Sequence, residues 1–475
     1  MKVLLVAERY WPEVGAAPSR LANMAEGLKK QGCEVDVLTS LPNYPKGRIF
    51  DGYRGCVSKK EIRNGVEVFR YWIYATVSRN PVARILNMFS FAVTIWLFAF
   101  KRRRIKNYDV VIIQTPTLVV AASAMCLFKG LYGKRCVLNV SDIWPLTAVD
   151  MGAMQKGSRS YRFMDCLERY LYRRADGVLG QSEEILNHVC VKSEGRRKRE
   201  EGRGKKEEVR RKREEGRGKK LDGRGKKSEV RSKKLDVRGE GMDDPDSEEV
   251  LGSKIWQEDK RLFLYRNLQT YQMDCDHKSK DVVLRLVFSG MLGVAQDVAG
   301  IVKNVPWKEL GVEFHILGGG KQYDEIVAYC KEHPDCGVTA YGFVPKEEIA
   351  DRLKCMHASI VPLATRIRGA FPSKVFDILP QGLPILFCGG GEGARFVAEH
   401  GVGFTSAPGD YDALTENIKK MRDLTETEYE TMSGRCIAVS HEELDFDKQM
   451  REVYEWMEGR SQKLEGRGKR EDGRS

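Results

Sequence analysis

The residues best suited to chemistry lie between two apolar runs in the second half of the chain. Ser359–Leu363 and Leu383–Cys388 have the length and composition of buried parallel strands. Between them Pro372-Ser373-Lys374 opens a helix, because proline suits the first helical turn. A helix that begins after a strand presents free backbone N–H groups, which the Ser373 hydroxyl and the Lys374 ammonium join here. This combination predicts a phosphate-binding turn, and the alternative is an ordinary strand-to-helix turn with an incidental lysine.

Strand and helix patterns before and after this turn predict an α/β protein. Lys2–Ala7 is followed by apolar residues at helical spacing and by a second strand, Cys33–Thr39, which makes a βαβ unit. The first turn of this unit lacks G-x-G-x-x-G, which disfavours a dinucleotide-binding dehydrogenase. The chain of 475 residues can bury two cores, so we expect two Rossmann-like doubly wound domains.

The segment from Ala358 to His400 resembles the donor-binding motif of retaining glycosyltransferases with the GT-B fold, of the family 4 type. The run Pro42–Gly47 resembles the fucosamine-transferase-like subgroup of bacterial O-antigen, capsule and colanic acid glycosyltransferases. In that family the turn holds the donor diphosphate and a helix acid holds the donor ribose, which implies that role for Asp377. A second acid stands eight positions earlier, where this chain has Gly369. A mechanism that relies on that carboxylate is therefore in doubt.

The resemblance implies donor contacts in three other turns. The loop after the first strand, with Gly15, reaches across the cleft in this family, and the turn with Gly290 and Gln296 contacts the donor diphosphate. The arginine and lysine that the family commonly uses in that second turn are absent here, which leaves Lys374 as the main cation. Gly342 stands where backbone groups contact the nucleobase. The alternative for each glycine is a simple turn.

Asp142 follows the predicted strand Arg135–Val140, at the edge where open α/β sheets bind ligands. We expect it to anchor an acceptor hydroxyl or to steady the reacting sugar, and the alternative is a helix-capping or turn aspartate. Asp142-Ile143-Trp144-Pro145 also resembles the subgroup, which usually continues with an acid where this chain has Leu146. Lys374 and Asp142 are thus the predicted catalytic residues.

The formal net charge of +13 is unevenly distributed. The segments 192–240 and 461–475 carry a basic excess equal to it, and RRKREEGRGKK occurs at both Arg196–Lys206 and Arg210–Lys220. These two segments have too few apolar side chains for their burial to offset the entropy cost of ordering the chain. We therefore predict that both segments are disordered. The predicted division is an acceptor domain 1–191, a disordered insertion 192–250, a nucleotide-sugar domain 251–445, a helix 446–460 crossing back to the first domain, and a disordered tail 461–475.

Two features bear on location. Ile85–Phe100 is apolar and is followed by basic residues, which leaves three interpretations. It is a buried helix of the core, or a helix in the interface of a membrane with the basic residues of segment 84–104 on anionic headgroups. A helix that spans the membrane is the least favoured. The twelve cysteines show neither C-x-x-C pairs nor metal-ligand spacing, and no secretory signal is visible. We expect a cytoplasmic protein, peripheral on the inner face of the plasma membrane in the second case.

The predicted function is transfer of a sugar from a nucleoside-diphosphate sugar, with UDP favoured, to a glycan or lipid-linked acceptor in cell-surface polysaccharide biosynthesis. Retention of anomeric configuration is implied by the resemblance. We expect neither a metal nor another cofactor, because no D-x-D motif follows a predicted strand. A nucleotide-sugar epimerase or phosphorylase is the enzymatic alternative. A nucleic-acid-binding or scaffold protein that uses the basic repeats is the other, although nucleic acid would not require phosphate-directed turns in the globular part.

Overall fold

The computed structural model describes residues 1–78, 80–194, 254–268 and 283–471. It contains two predominantly parallel sheets covered by helices, so the predicted α/β class with two Rossmann-like domains is confirmed. The disorder predicted for 192–250 falls outside the described residues, apart from 192–194, which end a helix.

The first sheet has eight strands within the described residues, in the order β3-β4-β2-β1-β5-β6-β7-β8. All neighbours are parallel except the β3–β4 hairpin. Strands β5 and β6 consist only of buried residues, as parallel strands with helices on both faces do. The strands are β1 (Lys2–Val6), β2 (Glu34–Ser40), β3 (Ser58–Arg63), β4 (Val66–Tyr71), β5 (Val110–Gln114), β6 (Arg135–Val140), β7 (Gly177–Gly180) and β8 (Leu262–Leu264).

Helices of the first domain follow most of these strands. The helices are α1 (Ala16–Lys30), α2 (Pro81–Thr94), α3 (Arg102–Lys106), α4 (Leu118–Met125), α5 (Leu146–Asp150), α6 (Arg159–Arg174) and α7 (Glu183–Glu194). Three shorter segments continue or precede them, a 3-10 turn at Ile95–Phe100, a π turn at Cys126–Leu131 and a 3-10 turn at Ile255–Glu258.

The second sheet runs β11-β10-β9-β12-β13-β14 and is parallel throughout its described strands. Its strands are β9 (Arg285–Ser289), β10 (Glu313–Leu317), β11 (Val338–Gly342), β12 (Ala358–Pro362), β13 (Ile385–Cys388) and β14 (Gly403–Ser406). The chain order reverses between β9 and β12. Open α/β sheets bind ligands at such a switch point, outside the carboxyl ends of the two strands.

The helices from β9 onward include a short one that is the next helix after β12. The helices are α8 (Val298–Asn304), α9 (Trp307–Leu310), α10 (Tyr323–Glu332), α11 (Lys346–Lys354), α12 (Lys374–Ile378) with a 3-10 turn at Leu379–Gln381, α13 (Glu392–Glu399), α14 (Tyr411–Asp423), α15 (Glu426–Glu443) and α16 (Phe446–Glu471).

One strand and one helix from the later part of the chain contact the first domain. Strand β8 pairs with β7 in the first sheet, although its residues were expected in the second domain. Helix α16 packs on α1, where a Cβ added at Gly27 would lie 2.6 Å from Cγ of Met450, and Arg135 donates to the carbonyl of Met457. The helix extends to Glu471, into the segment 461–475 for which composition predicted disorder.

The apolar segment of the first domain is more exposed than a core helix. Val82–Phe100 is long and apolar enough to cross a membrane, yet only 22% of its most apolar window is buried. One face, with Phe91 and Phe98, lies in the core, whereas Val93 is 67% and Phe100 85% exposed. A second apolar helical segment, Leu118–Leu131, is shorter. The segment is therefore buried along one side only.

Candidate functional site

Lys374 lies at the switch point of the second sheet. It is the first residue of α12, which follows β12, and its ammonium nitrogen lies 3.7 Å from the centroid of the Phe288 ring in β9. The residue is partly exposed, but Nζ itself is shielded from solvent and has no hydrogen-bond partner among the described residues. Burial lowers the pKa of Lys374 to about 7, and the charge of Asp377 only partly offsets this. An anion bound here would accept hydrogen bonds from the Lys374 ammonium and so provide the partner that this group lacks.

Gly290 forms the opposite wall of this site. It follows β9 with φ of +140°, and a Cβ added there would lie 2.6 Å from Cε and 3.0 Å from Nζ of Lys374. Its own carbonyl oxygen would lie 1.8 Å from a Cβ at Gly318, after β10. Three turns at the carboxyl edge of the sheet are thus packed closely enough to require glycine at two positions. The predicted residues Gly290 and Lys374 are brought into contact.

Ser373 and Asp377 lie in the same short helix. Ser373 is the N-cap residue, but its side chain makes no capping hydrogen bond. Asp377 is in the first turn and lies close enough to Lys374 to interact with its charge. Both predicted donor residues therefore share the switch point with Lys374.

Gln296 and Gly342 lie in other turns of the second domain. Gln296 lines a small cavity with Asp297 and Tyr411, and its Oε1 would lie 2.8 Å from a Cβ at Gly293. Gly342 ends β11 with φ of +75°, at a shift of the β10–β11 register. The positive φ of Gly342 suits a turn, and both residues lie against other residues of the second domain.

Gly15 is at the N-terminus of α1, at the switch point of the first sheet between β1 and β5. A Cβ added there would lie 3.7 Å from Cε1 of Tyr44. The loop with Tyr44 is fixed by Glu13, which is 3% exposed and accepts hydrogen bonds from the backbone N–H groups of Asn43 at 2.9 Å and Tyr44 at 2.8 Å. Glu13 was missed by the sequence analysis, because an acid in a loop ordinarily faces solvent.

Asp142 lies where β6 ends, and Arg20 from α1 lies near it. Burial raises the pKa of the Asp142 carboxyl, while the charge of Arg20 and the hydroxyl of Ser141 oppose the shift. Burial lowers the pKa of Arg20, opposed by the charges of Asp142 and Tyr265. Asp142 is therefore in a shielded environment with a cation nearby, as an acceptor-binding or catalytic carboxylate requires.

A group of polar contacts, which we call the interdomain clamp, joins Glu184 of α7 to Arg366, Gly369 and Arg395 of the second domain. The buried Glu184 carboxylate accepts from Gly369 N–H at 2.8 Å, Arg366 Nη2 at 2.9 Å and Arg395 Nη2 at 3.3 Å. Ser182 donates to the Gly369 carbonyl at 2.8 Å. The loop that leads into α12 is therefore held against the first domain.

Gly369 stands where the resemblance leads one to expect an acid. The absence of a side chain at this position allows the two domains to pack closely here. With φ of +77°, a Cβ at this position would lie 2.7 Å from two side-chain carbons of Ile143 and 3.1 Å from one of Ile185. Ile143 directly follows Asp142. The edge of the first sheet that carries Asp142 is thus packed against the loop before Lys374, without room for a larger side chain.

The described residues include no group of three or more His, Cys, Asp or Glu side chains able to hold a metal ion.

Two family models match the chain. A glycosyl transferase 4-like domain matches residues 15–198, and a glycosyl transferases group 1 domain matches residues 284–423, which together make up more than half of the chain. The chain carries glycosyltransferase domains of these two families. In Escherichia coli strain K12, the colanic acid biosynthesis glycosyl transferase WcaI is 29% identical over 194 residues, which are 40% of this chain and 47% of that protein. The matched part thus spans about half the length of this relative.

Solved structures share the two-domain fold along almost all of the glycosyltransferase chain. Sucrose-phosphate synthase from Thermosynechococcus elongatus has a TM-score of 0.58 at 11% identity and covers 96% of this chain and 99% of its own. HepE from Anabaena in complex with UDP has a TM-score of 0.56 at 13% identity, covering 97% and 100%. WaaG, a glycosyltransferase of lipopolysaccharide biosynthesis, has a TM-score of 0.55 at 11% identity, covering 96% and 99%. The predicted GT-B fold is therefore confirmed.

Proposed function

We propose that the protein transfers a sugar from a UDP-sugar to a glycan or lipid-linked acceptor in the biosynthesis of a cell-surface polysaccharide. The two glycosyltransferase domain matches support the reaction class. The likeness to WcaI supports polysaccharide biosynthesis, and the HepE complexes with UDP and UDP-glucose support the donor class. The donor sugar is a hexose or an N-acetylamino sugar, and the anomeric configuration is retained.

The observation that carries this proposal is the unpartnered ammonium of Lys374 between Phe288 and Gly290. As the glycosidic bond breaks, negative charge develops on the distal phosphate of the leaving UDP. A cation already fixed at that place stabilises this charge without the reorganisation that water would need. In the free protein burial lowers the pKa of Lys374 to about 7. A bound diphosphate would raise this pKa, because its negative charge stabilises the protonated lysine, and this interaction would contribute to the affinity for the donor.

Other residues have supporting roles in this mechanism. Asp377 binds the donor ribose, while the backbone near Gly15, Gly290 and Gln296 approaches the diphosphate and Gly342 approaches the base. Asp142 binds the acceptor. Since position 369 lacks a carboxylate, no step uses one there. We propose that the reaction needs no metal, because Lys374 and backbone N–H groups supply the positive charge.

The experiment compares UDP binding and sugar transfer in the wild type and in K374A. In K374A we expect the UDP affinity, measured by calorimetry, to fall roughly tenfold or more, because a charge-assisted contact is lost. The turnover number should fall by a similar factor. The control is K354A, since Lys354 is exposed and pairs with Asp351 at 2.6 Å. Full activity of K374A would remove Lys374 from the mechanism, and absence of UDP binding by the wild type would contradict the donor assignment.

We further propose that the protein works in the cytoplasm, with segment 84–104 on the inner face of the plasma membrane. The exposed apolar face of α2 supports this, because contiguous exposed patches mark interaction surfaces. Fewer basic side chains at the end of this segment are available to a membrane than the sequence indicates, because Arg104 forms ion pairs with Asp36 and Glu67 of the same domain. Arg84, Arg102 and Arg103 remain exposed for anionic headgroups.

A further inference from the structure

Arg20 has an unusual environment for an arginine. It lies in the second turn of α1 and is only 6% exposed. Its Nε is shielded from solvent and has no hydrogen-bond partner in the part of the chain that the structure describes. Leaving the N–H group of a shielded Nε without a hydrogen-bond partner costs free energy. A ligand that accepts hydrogen bonds would remove this cost.

Asp142 has the strongest favourable electrostatic interaction with Arg20, but it makes no hydrogen bond to it. The two interact electrostatically, and each opposes the pKa shift that burial causes in the other. Yet no ion pair within 4.0 Å joins their side chains among the described residues. The guanidinium and the carboxylate thus interact electrostatically without forming an ion pair, which leaves the Nε–H of Arg20 available to a ligand that accepts a hydrogen bond.

The location of this pair agrees with an acceptor subsite. Asp142 lies two residues after β6 at the carboxyl edge of the first sheet, and Arg20 belongs to the helix that follows β1. Ile143, the neighbour of Asp142, packs against Gly369 in the loop that leads to Lys374. The pair therefore lies on the first-domain side of the domain boundary, opposite the donor turn.

We infer that Arg20 and Asp142 bind adjacent hydroxyl groups of an uncharged acceptor sugar. The guanidinium donates to one hydroxyl oxygen and the carboxylate accepts from the other hydroxyl, which suits a vicinal diol because each sugar hydroxyl can both donate and accept. A phosphate or a carboxylate-bearing sugar would satisfy Arg20 but would be repelled by Asp142. This inference rests on the proposed function and adds the chemical class of the acceptor.

The test uses the full chain and the variants R20M and D142N, with R162M as the matched control because Arg162 is exposed on α6. Binding of neutral methyl glycosides of glucose, galactose, fucose and N-acetylglucosamine is measured by saturation-transfer NMR at roughly 10 mM, with UDP present, which detects millimolar affinity. We expect R20M and D142N to weaken glycoside binding roughly tenfold or more, and R162M to leave it unchanged.

Two further measurements separate this role from a structural one. R20M removes a buried guanidinium whose Nε has no hydrogen-bond partner among the described residues, so we expect it to raise the melting temperature while it weakens glycoside binding. A structural arginine would lower both. R20M should bind UDP as tightly as the wild type. If the wild type itself did not bind UDP, the proposed function would be contradicted, but not this inference. Failure of every glycoside to bind the wild type, unchanged binding by R20M, or competition by inorganic phosphate that depends on Arg20 would overturn the neutral-sugar assignment.

Discussion

The backbone N–H of Gly369 donates a 2.8 Å hydrogen bond to Oε2 of Glu184 across the boundary between the two domains. The other oxygen of the same carboxylate accepts from Arg366 and Arg395. One buried side chain of the first domain thus fixes both the loop before α12 and the helix α13. Together with the ion pair between Asp150 and Arg368, it joins the loop before the donor turn to the first domain.

Substitution of Glu184 should therefore release the second domain. In E184A two guanidinium groups and one N–H lose their buried partner, so we expect the free energy of unfolding to fall by roughly 3 to 5 kcal/mol. Denaturant unfolding measures this, and small-angle scattering measures the expected increase in radius of gyration. The control E183A removes a neighbouring acid that is not part of the clamp. Equal stability of the two variants would show that the clamp does not hold the domains together.

The pKa of Lys374 predicts a pH dependence of stability. The folded lysine loses its proton near pH 7 and an unfolded lysine near about pH 10. Between these values the unfolded state binds more protons, so stability should rise with pH by up to about 1.4 kcal/mol per pH unit from this group. K374M should be more stable than the wild type at pH 7 and below, and should lack this slope. Parallel pH profiles of K374M and the wild type would contradict the assigned pKa.

The contact between Gly290 and Lys374 predicts a specific effect of a single methyl group. G290A places a Cβ 2.6 Å from Cε of Lys374, so we expect the lysine to shift and UDP affinity to fall roughly tenfold. The backbone strain of a left-handed alanine is controlled for by G133A, since Gly133 has φ of +62° and no atom within 4 Å of the added Cβ. Both variants should lose some stability, but only G290A should lose UDP affinity. Wild-type affinity of G290A would show that Lys374 does not need its present position.

The exposed apolar face of α2 and of the 3-10 turn that continues it predicts selective binding to membranes. Val93 of α2 and Phe100 of the turn are among its most exposed residues, so V93E and F100E should reduce sedimentation with vesicles that contain anionic lipid. The control is V57E, because Val57 is 62% exposed and lies outside this face. We expect vesicles of neutral lipid to bind less protein than anionic ones, since Arg84, Arg102 and Arg103 contribute electrostatic attraction. Equal binding by V57E and F100E would contradict the proposed membrane face.

The regular elements and the donor turn were predictable from the sequence because their signals are local. The strand Arg135–Val140 is buried along its whole length and mainly apolar, and its observed bounds match the prediction. The β3–β4 hairpin was missed, since Ser58–Arg63 is a mainly polar edge strand without a buried residue. The helix that begins at Phe446 continues beyond the expected end, because composition alone does not register support from helical neighbours.

Contacts between distant segments were not predictable in the same way. Glu184 is one of two acids in the first turn of a helix, where any acid suits the dipole, and nothing nearby distinguishes it from Glu183. Arg20 lies on an amphipathic helix whose pattern predicts a solvated arginine. Both acquire their roles only when the fold brings residues more than one hundred positions away beside them, as it brings Asp142 beside Arg20.

Helix α16 has a consequence for how the protein is made. Met450, Val453 and Met457 are fully buried against the first domain, yet a ribosome synthesises them after the whole of the second domain. The first domain therefore leaves its ribosome with an apolar surface on α1 still uncovered. That surface has to be shielded, by a chaperone or by transient packing, until the last helix emerges.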